Sequence, residues 1–151
     1  MREILFRGKR KDTGEWVEGS LITTTAVQMK AYIVDSCGCT FDKVDYDGTA
    51  LFDWICAYEV DPETVGQYIE LHDLHDKNGK KIFEGDICRF REWSKGDMCW
   101  IGEVRFEHSQ FVISGNKNKE CDTPFTLVMS RFISEDIEVI GNIHDNPELL
   151  D

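Results

Sequence analysis

The chain of 151 residues has no apolar run approaching the about 20 residues that a helix needs to cross a bilayer. Its opening, MREILFRGKRK, carries charge with no long apolar core behind it, so an export signal is not expected either. Both absences point to a soluble protein of the cytoplasm. Cysteine is sparse and scattered: Cys37, Cys39, Cys56, Cys88, Cys99 and Cys121 form no C-x-x-C pair, and a disulfide framework is not expected in a reducing compartment. Positive charge is scarce as well. Seventeen Lys and Arg oppose 29 Asp and Glu, and the net charge of −12 repels duplex DNA and anionic lipid over most of the surface. There is no G-x-S-x-G elbow for a nucleophilic serine and no glycine-rich loop ending in Lys-Ser or Lys-Thr for a phosphate. Helical periodicity sustained over three turns is nearly absent too.

What remains is a pattern of short apolar and β-branched runs between turn residues. In the first part, Glu3–Arg7, the stretch from Trp16 to Ile22, Val27–Val34, Phe41–Val44 and Leu51–Tyr58 have the look of strands. In the second, Lys81–Phe83, Asp86–Trp93, Trp100–His108, Gln110–Ser114, Leu127–Met129 and Ile137–Ile143 follow at regular spacing. The best helix candidate, Phe132–Ile140, competes with a strand, and Asn146–Leu150 fits one capped turn. Proline restricts its predecessor, so Asp61-Pro62 marks a boundary between an N-terminal β lobe, 1–61, and a C-terminal β-barrel-like lobe, 62–151. The expected fold is mainly β with little helix.

The stretch DKNGKKIFEGD, Asp76 to Asp86, resembles a metal or phosphate loop and needs a test. A calcium loop takes oxygen ligands from its first, third and fifth positions, glycine at the sixth and glutamate at the twelfth. Here glycine stands fourth and two lysines occupy the ligand region. A structural corner accounts for the residues better. Asn78-Gly79 would supply two positive φ angles of a tight hairpin, Ile82 and Phe83 one side chain to each sheet face, and Gly85-Asp86 a second turn in which Asp86 accepts backbone N–H groups.

Three segments together carry a resemblance: MREILFRGKRKDTGEWVEGSLI, DPETVGQYIELHDLHDKNGKKIFEGDI and IEVIGNIHDNPELL. In this combination the chain resembles the YopX family of phage and prophage proteins. The resemblance implies a mostly β protein acting in a bacterial host cell, and it implies no activity. It weakens at Glu70–His75, Cys37–Thr49 and Asn116–Pro124, where individual specificity would sit.

Three groups of residues could carry chemistry. Cys37, Cys39 and Cys56 with His72 or His75 could supply zinc ligands, although structural zinc sites take cysteines two to four residues apart in two pairs, and ordinary thiols and a solvated His-Asp-Leu-His loop fit as well. Trp93, Trp100 and Phe106 beside Arg89, Arg91 and Arg105 could stack single-stranded nucleic acid, or could be core residues with charged outward neighbours. The charge layout favours a third function. Arg2–Lys11 is basic and Ser134–Asp151 holds six acids and no base. The chain is therefore expected to be a non-enzymatic acidic module without cofactor, catalytic residue or bound metal. It would dock on a host or phage protein, bind no duplex DNA and no membrane, and have the option of a homo-oligomer. The alternatives are a metal-dependent thiol/His enzyme or regulator and a single-strand binder.

Overall fold

Runs in which every second residue is apolar bury one face of a strand and leave the other to solvent. A computed structural model of the protein describes residues 4–24, 30–35, 56–69, 74–91, 99–115 and 124–150, and these form ten strands with four short 3-10 turns. Among the described residues there is no α-helix, and none is long and apolar enough to cross a membrane. The mainly β expectation holds. The chain divides into two compact units, Glu3–Gln67 and Tyr68–Asp151, the latter with Met1–Arg2.

In the first unit, β1 (Phe6–Lys9), β2 (Trp16–Thr24), β3 (Lys30–Asp35), β4 (Cys56–Val60) and β5 (Gly66–Gln67) make one antiparallel sheet in the order β4-β3-β2-β1-β5. The sheet rolls back on itself just beyond β1. Arg10 bridges Val60, the Lys11 N–H donates to the Glu59 carbonyl at 3.0 Å, and the Asp61 N–H donates to the Lys9 carbonyl at 2.8 Å. So tight a roll leaves little room for side chains where strands approach. A Cβ on Gly19 would stand 2.0 Å from the Val34 carbonyl oxygen, and one on Gly8 would meet the Val60 side chain at 2.9 Å. Ala31, Ile33 and Val60 form the small core, with Phe6, Val17, Leu21 and Val65 against it. Asp61 caps the 3-10 turn Pro62–Thr64 by accepting the Glu63 N–H, and Thr64 Oγ1 accepts the Lys9 N–H at 2.8 Å, which fixes this turn to β1.

In the second unit, β6 (Asp86–Arg91), β7 (Cys99–Glu107), β8 (Gln110–Gly115), β9 (Phe125–Val128) and β10 (Ile137–Asn142) form an antiparallel sheet in the order β10-β6-β7-β8-β9. Among the described residues β10 and β9 do not pair, so the sheet is open and the barrel-like expectation becomes a five-stranded sheet with two edges. Phe90, Trp100, Val104, Ile113 and Ile137 come from its strands into a core completed by Ile69, Leu74, Ile82 and Met129. The Phe125 ring lies where a Cβ on Gly102 or Gly115 would reach it at 3.1 and 2.8 Å, and it meets Trp100 edge-on at 5.1 Å. The sheet here trades two side chains for one ring.

Three local expectations change. Lys81–Phe83 is no strand but carries single bridges, Lys81 to His75 and Phe83 to Tyr68. Phe132–Ile140 is not helical: Phe132 is extended, Ser134–Asp136 is one 3-10 turn and β10 begins at Ile137, because burial of Ile137 in the sheet core overrides a short helical pattern. At Asn78-Gly79 only Gly79 has positive φ, +78°. Among the described residues, the turn with two consecutive positive φ values is His108-Ser109, at 49° and 64°, joining β7 to β8 where Glu107 faces Gln110. The strand pairing on either side imposes that geometry on residues that do not favour it. Gly85, at φ +81°, and Asp86, whose carboxylate accepts the Phe83 N–H at 2.8 Å, take the predicted places.

Two stability changes of opposite sign follow. Gly79→Val forces a β-branched residue into positive φ and is expected to cost about 1 kcal/mol or more in chemical denaturation, although open space surrounds the position. Ser109→Gly relieves such a conformation and is expected to stabilise by about 0.5–1 kcal/mol, read as a rise in melting temperature.

Candidate functional site

Asp76 is 2 % exposed, and its carboxylate accepts four hydrogen bonds. Three come from its own turn: the N–H groups of Asn78 and Lys80, both at 2.8 Å, and the Asn78 side-chain amide at 3.3 Å. The fourth comes from the Val139 N–H at 3.2 Å, on β10. The next residue adds a second tie, since the Lys77 N–H donates to the Ile137 carbonyl at 2.8 Å. The turn thus occupies main-chain groups on the outer side of the edge strand β10. Burial alone would raise the Asp76 pKa, but hydrogen bonds from Lys80, Val139 and Asn78 outweigh it and hold the carboxyl below the ordinary aspartate value. Both carboxylate oxygens are taken by donors of the protein, which leaves Asp76 to act as a structural anion rather than a metal ligand.

This anchoring places Lys77 on the wall of a cleft of about 350 Å³ at the start of β10, lined also by Arg89, Phe90, Arg91, Cys99, Glu135, Asp136, Ile137 and Glu138. Register assembles the wall. Glu138 pairs across the strands with Arg89, and Arg91 with Cys99, so these four alternate with the buried Phe90 and Ile137. Glu138 accepts from Lys77 at 2.8 Å and lies 3.8 Å from Arg89, while the turn Ser134–Asp136 brings two further acids to the rim. The site is one of mixed charge. Sequence inspection did not find it, because Lys77, Arg91 and Glu135 come from distant segments; the alternation Arg89-Phe90-Arg91 was its one local signal.

The other candidates fare differently. Cys37, Cys39, His72 and Trp93 lie outside the described residues. Cys56 is half-buried on β4 opposite Asp35, in the first unit. His75, in the second, has its Nε2 3.4 Å from the Tyr68 hydroxyl, and its backbone N–H donates to Ser134 Oγ at 3.2 Å. Among the described residues no three His, Cys, Asp or Glu side chains are grouped to hold a metal. The proposed stacking platform does not assemble from its described members. Trp100 is 2 % exposed in the core, on the sheet face opposite Arg89 and Arg91, and Phe106, though half exposed, rests edge-on against Phe111 at 5.0 Å. Arg105 is held by Glu103 at 2.6 Å. The period-two pleat that puts the arginines outward puts Trp100 inward.

The family model for "YopX protein" matches residues 5–151. The chain belongs to the YopX family. Its fold is similar to the crystal structure of protein EF1440 from Enterococcus faecalis, with 23 % identity, a TM-score of 0.53 and full coverage of both chains. It is likewise similar to the X-ray structure of protein yopX from Bacillus subtilis, with 16 % identity, a TM-score of 0.52 and full coverage of both. At such identities the likeness speaks for the YopX fold alone. Among curated proteins none matches the chain.

The Asp76 anchor has a pH signature. A carboxyl whose folded pKa lies below its unfolded value of about 3.9 contributes stability that is complete above that value and disappears as pH falls through the folded pKa. Asp76→Asn is expected to cost about 2–3 kcal/mol near neutral pH, since an amide nitrogen replaces an acceptor facing N–H donors. Denaturation curves between about pH 7 and pH 2 should show part of the acid-side slope of the natural protein missing from the variant.

Proposed function

We propose that this YopX-family protein works without chemistry of its own, as an acidic protein-binding module that docks on a basic host or phage protein in the bacterial cytoplasm and masks a nucleic-acid-binding surface there. The observation that carries this reading is how the chain's own cations are engaged. In the basic opening stretch, Arg10 is bound to Asp12 at 2.6 Å and lies over the Tyr58 ring at 4.2 Å, Lys11 is bound to Glu59 at 3.0 Å, and Arg7 lies over the Trp16 ring at 4.8 Å. Lys30 also reaches Glu59, at 3.4 Å. The hydrogen bond from Arg10 holds the Asp12 carboxyl below its ordinary value, and that from Lys11 does the same for Glu59, so these acids stay ionised beside their cations. The one dense basic stretch is thereby drawn into internal pairs, and the surplus is negative.

That surplus has a place in the fold. Glu135 and Glu148 lie on the 3-10 turns that flank β10, beyond the pairs that Glu138 makes with Lys77 and Arg89. Like charge on every copy opposes self-association, which favours a different, basic protein as partner. Attraction of this kind raises the encounter rate and fades over a Debye length of about 8 Å at physiological salt.

A tagged pull-down from infected cells is expected to recover at least one basic protein whose yield falls as salt rises, and gel retardation at roughly 0.15 M salt is expected to show no shift of duplex DNA. Retarded DNA, or only salt-insensitive partners, would overturn the proposal. One zinc per chain in purified protein, lost on replacing Cys37 or Cys39, would put the metal-dependent alternative in its place.

A further inference from the structure

We infer that the cleft at the start of β10 is the docking point for a peptide segment of the basic partner in which a basic side chain stands close to an acidic one. The inference deepens the protein-binding proposal and rests on it. Within the cleft, Glu138 takes up Lys77 at 2.8 Å and faces Arg89 at 3.8 Å, which leaves the middle of the wall internally balanced. Two charges of opposite sign remain. Arg91 and Glu135 are both exposed, both line the cleft, and among the described residues neither side chain has an ion pair or hydrogen bond. Their surroundings differ in sign: Arg91 stands on β6 two residues from Arg89, and Glu135 beside Asp136 in the turn before β10.

A ligand of one sign cannot satisfy this arrangement. A wholly basic segment meets Glu135 well but brings like charge against Arg91 and Arg89; a wholly acidic segment meets the arginines but must approach a chain of net charge −12. A segment with both signs gives Glu135 its cation and Arg91 a carboxylate, which the planar guanidinium can hold with two parallel hydrogen bonds. The occupant is a segment of a protein rather than a small dipolar molecule, because only a partner with net positive charge is drawn in by the long-range field of the acidic chain. The net charge governs approach, and the cleft governs which part of the partner settles.

Isothermal titration of the full chain at low salt with three capped peptides tests this: acetyl-Gly-Lys-Gly-Glu-Gly-amide, acetyl-Gly-Lys-Gly-Lys-Gly-amide and acetyl-Gly-Glu-Gly-Glu-Gly-amide. The mixed peptide is expected to bind about tenfold more tightly than either peptide of one sign. Arg91→Gln and Glu135→Gln are each expected to remove that advantage while leaving the melting temperature unchanged, since both side chains are exposed. Equal or tighter binding of the two-lysine peptide, or a mixed-peptide affinity untouched by either variant, overturns the inference. A salt-sensitive basic partner recovered by a chain that does not distinguish the peptides refutes the cleft alone; discrimination without any such partner refutes the wider proposal.

Discussion

Of the two buried carboxylates among the described residues of the second unit, Asp76 and Asp86, the first is the one that ties a turn to the edge of the sheet. A carboxylate taken out of water is costly unless donors replace its hydration, and Asp76 is supplied with four. Because one donor is the Val139 N–H, the same charge that shapes a five-residue turn also holds that turn against the edge of a sheet. Edge strands expose unpaired main-chain groups that invite adventitious pairing, and here the hydrogen bonds at Ile137 and Val139 blunt β10 from its outer side. The cleft wall is a by-product of that closure, since Lys77 reaches Glu138 only because Asp76 and the Lys77 backbone are fixed to β10.

The two units solve the edge problem in different ways. In the first, the sheet rolls until Lys9 and Lys11 share main-chain hydrogen bonds with Asp61 and Glu59, and glycines stand where a β-carbon would collide. In the second, the sheet stays open and is covered locally. The rolled sheet also brings Lys30, on β3, and Lys11, in the turn after β1, to Glu59, so these two pairings follow from backbone closure, whereas Arg10 and Asp12 meet as near neighbours in sequence.

Much of the fold was legible because it is local. Alternation marked β6, β7, β8 and β10, and Gly85-Asp86 announced a turn in which the Asp86 carboxylate accepts from Phe83, three residues back. The stretch from Asp76 to Asp86 was legible as a corner, yet the reason for its first residue was not, since the Val139 donor lies 63 positions further on. The turn geometry was misassigned for a related reason. Asn-Gly is the favoured composition for two positive φ angles, but at Asn78-Gly79 the Asp76 side chain accepts hydrogen bonds that stabilise another turn, whereas ladder pairing imposes the tight turn on His108-Ser109. Of the aromatic residues, the pleat could have separated Trp100 from its arginine neighbours, had β6 and β7 been aligned. The cleft was out of reach in the same way, being made by register and by one turn docked on another strand.

The ladders also decide where this chain can change in length. Thr24 is the register partner of Lys30, Asp35 of Cys56, Arg91 of Cys99 and Gly115 of Phe125, so in each case the strands bring the two ends of the intervening stretch side by side. A connection whose ends are already held together loses chain entropy only logarithmically with length, about 0.6 kcal/mol for each doubling. Insertions, deletions and wholesale replacement at these four places therefore leave the sheets almost untouched. Sequence at these four places can be rewritten at little cost in stability while the two sheets keep their registers.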